Sequence, residues 1–282
     1  MSAEQAANGQ SPDARPPNRS QPVIVQHLSA DSGGSSRSSW TRCNYAGFQP
    51  KLRGDGGRLM IRSRPMGRVE LELPRRRLCE RLRALGIRDE RVLEAIASVP
   101  RHLLIPEPLR GQAYKDVSLP IGAGQTISAP STVAAMTQAL QPTGSETVLE
   151  VGTGSGYQAA ILSRLVARVV SIERVPQLAA RARTSLDNLG VTNVVVHLGD
   201  GTAGRPADAP FDAVVVTAGG PEVPQPLLAQ LAPGGCLVGP FGARERQKLI
   251  RMRCDGRGNF SREELGPCRF VELLGTHGWA AA

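Results

Sequence analysis

Hydrophobic positions along the chain fall into two regimes. Up to about residue 70 they are scattered among Ser, Gly, Pro, Gln and Arg, as in "SADSGGSSRSSW", without any period. Such a stretch buries too little apolar surface to offset chain entropy, so residues 1–70 are expected to be a disordered extension. Beyond it the pattern becomes regular, and a folded domain is expected over 71–282. Leu78, Leu82 and Leu85 recur at helical spacing in "PRRRLCERLRALG", which ends on Gly86. Val92, Ile96 and Val99 do the same in "RDERVLEAIASVP", whose first turn is acidic. The following "RHLLIPEPLRGQAYKDVSLPIGAGQTISAP" is broken by Pro and Gly and reads as a long irregular surface run. Runs of that length in a compact protein are more often functional than not.

A helix over about 131–140 then opens an alternation of apolar runs and amphipathic segments. The runs span 147–153, 167–173, 193–200, 211–219 and 234–242. Between them lie "YQAAILSRLV", "VPQLAARARTSLDNLG" and the short "VPQPLLAQL". Strands rich in Val, Ile and Leu and separated by helices pack as a parallel sheet covered on both faces. "QKLIRMRC" and "CRFVELLG" have no clear helix between them, which predicts an antiparallel edge. The fold class is therefore α/β: a doubly wound, mostly parallel sheet with N-terminal helices and an antiparallel C-terminal edge.

The chain of 282 residues has a formal net charge of +9, a reason to ask about nucleic acid. Its distribution changes the picture. Residues 1–77 hold 13 Lys+Arg and 6 Asp+Glu, whereas the remaining 205 hold 21 and 19. The excess sits in the leading segment and the body is nearly neutral. A basic arm for nucleic acid is one use for such a leader; a start of translation at Met60 or Met66 would do away with it. The N-terminus lacks signal architecture, and no apolar run approaches the roughly 18 residues of a membrane helix. A cytoplasmic, monomeric protein without membrane contact is expected. Five scattered cysteines (Cys43, Cys79, Cys236, Cys254, Cys268) form no C-x-x-C pair or Cys/His cluster. They read as free thiols, and no metal site is expected.

Candidate chemistry gathers at the strand ends. "EVGTGSG" places Gly152, Gly154 and Gly156 between the first strand and its helix, where only glycine lets backbone approach a ligand without a Cβ in the way. The dinucleotide fingerprint requires G-x-G-x-x-G, but here the spacing is G-x-G-x-G and Tyr157 stands where the third glycine would fall. Nicotinamide and flavin are thereby disfavoured. Glu173 closes the second strand, 21 residues beyond Gly152, where a carboxylate can accept both ribose hydroxyls. "GDG" closes the third, with Asp200 able to accept from an adenine amino group. Together these suit one adenosyl ligand; alternatively the glycines serve packing and the acids simply end strands.

The G-x-G-x-G loop with an acid ending the next strand resembles class I S-adenosylmethionine-dependent methyltransferases. The likeness narrows further. "AYKDVSLPIGAGQTISAP", "VLEVGTGSGYQAAIL", "VVSIER", "GDGTAG", "APFDAVVVTA", "QLAPGGCLVGPFG" and "CRFVELLGTHGW" occur in the order found in protein-L-isoaspartate O-methyltransferases. The resemblance covers about residues 78–280, and "GQTIS" with "GTGSGYQ" is specific to that family. It implies a Rossmann-like methyltransferase fold and methyl transfer from S-adenosylmethionine to the free carboxylate of L-isoaspartyl residues in damaged proteins and peptides. The ester then closes to a succinimide, which begins repair. It maps the substrate serine onto Ser128, and cofactor binding onto Thr126, Gly152, Gly154, Ser155, Gly156, Glu173, Arg174, Asp200 and Gly201. Three departures stand out: Ser118 before "LPIG" and Glu272 in "RFVEL", where the family commonly has Pro, and "AGG" at 218–220 in place of alanines.

The residues suit this chemistry by what they lack. A carboxylate is already ionised at pH 7, so its methylation needs no general base. His27, His102, His197 and His277 sit in unrelated contexts, no "N/D-P-P-Y" motif follows the fourth strand, and no Cys neighbours that loop. Ser128 has two readings on its own: cap of the helix near Pro130, a role Ser131 could fill, or donor to a carboxylate at the positive helix end. The resemblance favours the second. A nucleic-acid methyltransferase and a non-catalytic adenosyl-ligand-binding protein are the competing readings.

Overall fold

The computed structural model describes residues 72–280. The basic leading segment and the disorder expected of it lie outside the described residues. Helix α1 (Glu72–Ala84) buries Leu78 and Leu82. Leu85 does not join them: the chain reverses through Gly86 at φ +95°, and Ile87 fills the apolar place while its N–H bonds Leu82 O. Asp89 caps α2 (Glu90–Ser98) by accepting from Arg91 N.

The run read as irregular contains a hairpin. Strands β1 (Leu119–Gly122) and β2 (Gln125–Ile127) pair antiparallel. Ala123 and Gly124 between them both have positive φ, the geometry of a two-residue hairpin turn. Three- and four-residue strands leave almost no period to read, which is why the pattern missed them.

Helix α3 (Pro130–Leu140) leads into the main sheet. In chain order follow β3 (Thr147–Val151), α4 (Tyr157–Leu162), β4 (Arg168–Glu173), α5 (Pro176–Asn188), β5 (Val194–Leu198), β6 (Phe211–Val216), α6 (Gln225–Leu228), β7 (Leu231–Ala243), β8 (Arg246–Cys254) and β9 (Phe260–Cys268). The order across the sheet is β5-β4-β3-β6-β7-β8-β9, parallel through β7 and antiparallel beyond. Alternate residues feed two cores. Val148, Val169 and Val215 pack under α1 to α5, whereas Leu149, Val170 and Val214 face α6 and Leu273. Both faces are covered, the second, among the described residues, by a four-residue helix, short 3-10 turns and the segment around Leu273.

The antiparallel edge exists, but its last strand is not where the apolar pattern put it. "CRFVELLG" begins where β9 ends. An edge strand with one neighbour, β9 carries polar side chains ("FSREELGPC") and so shows little apolar signature. The apolar residues of "RFVELL" instead cross the sheet end: Gly219 N bonds Val271 O and Leu273 N bonds Gly219 O. That crossing builds one wall of the site.

Candidate active site

Between β3 and β6 the winding of the sheet changes direction, and at such a switch point the carboxyl ends of the strands leave a crevice. A cleft of about 340 Å³ occupies it, within the range of small-ligand sites. Of the residues expected at a cofactor, Thr126, Gly152, Gly154, Glu173, Arg174 and Gly201 line it. A second, smaller cavity of about 40 Å³ lies on the other side of the glycine loop and is lined by Ser128, Ser155 and Thr153. Cleft and cavity share Thr126, Gly152, Gly154 and Thr217, so the loop is their common wall.

The glycines have different reasons. A Cβ on Gly152 would collide with Thr217 Oγ1, which donates to Gly152 O (2.6 Å), and φ there is +98°. Gly154 faces the space between cleft and cavity, and a Cβ there would touch only Ile121. Gly156 lines neither space: it starts α4 at φ +83°, a left-handed conformation that favours glycine, and a Cβ there would only meet Leu186 and Ala182 of α5 at ordinary contact distance.

Glu173 is buried at the cleft. Oε2 accepts Gly154 N (2.8 Å) and Oε1 accepts Val175 N (2.9 Å), which pins the carboxylate and the loop to each other. Each carboxylate oxygen retains a further lone-pair site, so the side chain can also accept a pair of vicinal hydroxyls. With the glycine cradle and the volume of the cleft, this fits an adenosyl ligand.

Asp200 has structural partners of its own. Its Oδ1 accepts Thr202 N and the Thr202 hydroxyl, and Oδ2 accepts Thr276 N (2.7 Å). Desolvation opposes its charge, but the Thr202 hydroxyl and the Thr276 and Thr202 N–H groups outweigh it and hold the carboxyl below its usual range. Asp200 therefore ties the chain end to the sheet, and Gly201 rather than the Asp200 side chain lines the cleft. Asp200→Ala is expected to destabilise the fold by about 2 kcal/mol through unpaired donors, read by urea denaturation, with faster amide exchange at Thr276.

Ser128 stands between β2 and α3, half-buried. It does not cap the helix, and neither does Ser131. Ala129 holds the cap position, and Asp116 from the preceding loop accepts Ser131 N (2.8 Å) instead. The hydroxyl is left to the cavity.

Several site residues gave no signal in the sequence. Thr217 clamps the loop through Gly152 O and Val151 O, yet a threonine after a strand is unremarkable. Val271, Glu272, Leu273 and Leu274 form the cleft wall, although they were read as a strand. Glu272, noted as a departure, pairs with Arg244 (3.1 Å), whose guanidinium lies over the Trp279 ring. Glu150, in "VLEVG", is fully buried, and burial pushes its carboxyl up to about 8. An acid inside an apolar strand could have been flagged on that ground alone.

Among known proteins the likeness is extensive. The family model described as protein-L-isoaspartate(D-aspartate) O-methyltransferase matches residues 74–278. The protein-L-isoaspartate O-methyltransferase 2 of Geotalea uraniireducens is 52% identical over 213 residues, 75% of this chain and 98% of that one. The corresponding protein of Desulfosudis oleivorans is 54% identical over 194 residues, 69% and 87% of the two chains. A solved protein-L-isoaspartate O-methyltransferase is similar with a TM-score of 0.63 at 29% identity, covering 72% of this chain and 67% of its own. A Plasmodium falciparum structure described as a beta-aspartate methyltransferase in complex with S-adenosyl-L-homocysteine shares the fold, with a TM-score of 0.62 at 24% identity over 71% and 98% of the two chains. By this match along nearly all of the described residues, the chain belongs to the protein-L-isoaspartate(D-aspartate) O-methyltransferase family.

Proposed function

We propose that the chain methylates the free carboxylate of L-isoaspartyl residues in proteins and peptides, with the cleft as donor site and the Ser128 cavity as acceptor site. One observation carries the assignment: cleft and cavity meet at the glycine loop, both lined by Gly152 and Gly154 and by the flanking Thr126 and Thr217. A transfer that needs donor and acceptor in line requires such a shared wall.

S-adenosylmethionine supplies, when bound, an electrophilic methyl group on a positively charged sulfur. Glu173 accepts from its ribose hydroxyls, and Gly152, Gly154 and Gly201 allow close backbone approach. Thr126 and Arg174 border the same space, with Ser155 on the acceptor side of the loop. Ser128 donates to the isoaspartyl carboxylate near the N-terminal end of α3, whose dipole favours an anion. No side chain has to remove a proton, because the acceptor is ionised at neutral pH. The methyl ester formed is a better leaving group than the carboxylate and closes to a succinimide, whose hydrolysis restores part of the material to aspartate.

We take the acting species to be a monomer working on protein substrates, with no nucleic acid required. Among the described residues four cysteines are free thiols, in keeping with a reducing cytoplasm, and no helix is long and apolar enough to cross a membrane. The test is tritiated methyl transfer to an isoaspartyl peptide and to its α-linked aspartyl twin. Label is expected in the β-linked peptide and not in the twin. Label in neither, or equal label in both, overturns the assignment, and label in RNA or DNA would move it to the nucleic-acid reading.

A further inference from the structure

A chain of polar groups under the glycine loop is not used by the reaction described above. Glu150 lies on β3 in register with Ser171 on β4 and Val215 on β6, on the face covered by α4. Its Oε2 shares a hydrogen bond with the Ser171 hydroxyl. That hydroxyl lies 2.5 Å from Thr153 Oγ1. All three side chains are buried. Thr153 also lines the cavity that holds Ser128. A buried carboxyl is thus joined through two hydroxyls to the acceptor side of the loop.

Such a chain has two proton arrangements, and they differ at the cavity end. A protonated Glu150 donates to Ser171, Ser171 donates to Thr153, and the Thr153 proton is left over for the cavity. An ionised Glu150 can only accept, so Ser171 turns to it, Thr153 turns to Ser171, and the cavity meets lone pairs. An anionic acceptor is held by the first arrangement and repelled by the second.

We propose that Glu150 is a positioning residue that acts in its neutral form, orienting Ser171 and Thr153 so that the Thr153 hydroxyl donates to the isoaspartyl carboxylate beside Ser128. The surroundings favour the neutral acid. Burial is the largest influence and raises its pKa, the Ser171 bond lowers it, the Glu173 charge raises it and the Ala159 N–H lowers it, leaving it at about 8. Among the described residues Glu173 on β4 is the charged group that acts on it; α4 offers the Ala159 N–H and β6 an apolar valine. The inference rests on the reading of the Ser128 cavity as the acceptor site.

The experiment is the pH dependence of kcat/KM for an isoaspartyl peptide at saturating cofactor, with total methanol counted after base treatment so that ester loss does not distort it. The wild type is expected to fall above an inflection near 8, where Glu150 ionises while the substrate carboxylate stays charged throughout. In Glu150→Gln the amide N–H donates to Ser171 at every pH, and the alkaline fall is expected to vanish. Thr153→Val is expected to lower kcat/KM about ten-fold with cofactor affinity within about two-fold, and Thr153→Ser to restore it. An alkaline fall that persists in Glu150→Gln, or a Thr153→Val enzyme with unchanged kcat/KM, overturns the relay. Ser128→Ala separates the two levels. If it cripples the enzyme while Thr153→Val does not, the relay alone falls; if it is silent, the acceptor-site reading falls and the relay with it.

Discussion

Ser128→Ala is expected to lower kcat for an isoaspartyl peptide about 100-fold while leaving the cofactor Kd within about two-fold, a split characteristic of a donor that acts on the reacting group. The structural alternative is weak for a reason visible in the fold. A serine at this point would ordinarily stabilise the helix as its cap, worth about 1 kcal/mol. Here Asp116 does that work through Ser131 N, and the cap position belongs to Ala129. Removing the Ser128 hydroxyl therefore leaves α3 intact, and a lowered kcat cannot be charged to a loosened helix. The hydroxyl lines the smaller cavity and not the main cleft proposed to hold the cofactor, so cofactor binding has little to lose. Stopped turnovers with pre-bound cofactor and calorimetry on the same protein give both quantities. A wild-type kcat removes Ser128 from the chemistry; a melting temperature lowered in step with kcat would return it to a structural role.

The parts legible in the sequence are those whose function is local. The glycine loop could be read because three glycines between a strand and a helix have a conformational reason, and Gly152 and Gly154 do sit at positive φ on the cleft. Glu173 could be read because the end of the second parallel strand is fixed by alternation alone. The central sheet was read for the same reason: its strands are apolar on both faces, as β3, β4 and β6 are.

What was missed depends on contacts between distant segments. The cap of α3 comes from Asp116, 15 residues before the N–H it accepts, so the local choice between Ser128 and Ser131 was a false one. Asp200 ends its strand as expected, but its bond to Thr276 N, 76 residues on, could not be seen in the sequence. The wall at 271–274 is mostly apolar because Leu273 packs against the sheet core and lines the cleft together with its neighbours, a pattern indistinguishable in sequence from a short strand. Gly156 belongs to the same spacing as its two neighbours, yet it lines neither space and its reason is the left-handed turn that starts α4. Regular spacing revealed the loop and concealed the division of labour within it.

Glu173→Ala is expected to weaken S-adenosylmethionine binding at least about 100-fold, since two hydrogen bonds to a charged acceptor contribute about 1.5–3 kcal/mol each. The carboxylate is also the anchor of the loop, through Gly154 N and Val175 N. Its loss frees the glycine that walls both cleft and cavity, so kcat is expected to fall even when cofactor is raised to saturation. The sharper variant is Glu173→Gln. Each oxygen of the native side chain accepts one backbone N–H, so an amide of the same shape must turn its NH2 toward one of these donors. It cannot satisfy both, whichever way it flips. Glu173→Gln is therefore expected to bind cofactor nearly as poorly as Glu173→Ala, although elsewhere the exchange is conservative. Calorimetric titration of the two variants with S-adenosylmethionine decides the matter. Near-native affinity in Glu173→Gln would mean that charge and both acceptors are dispensable, and that something other than Glu173 holds the ribose.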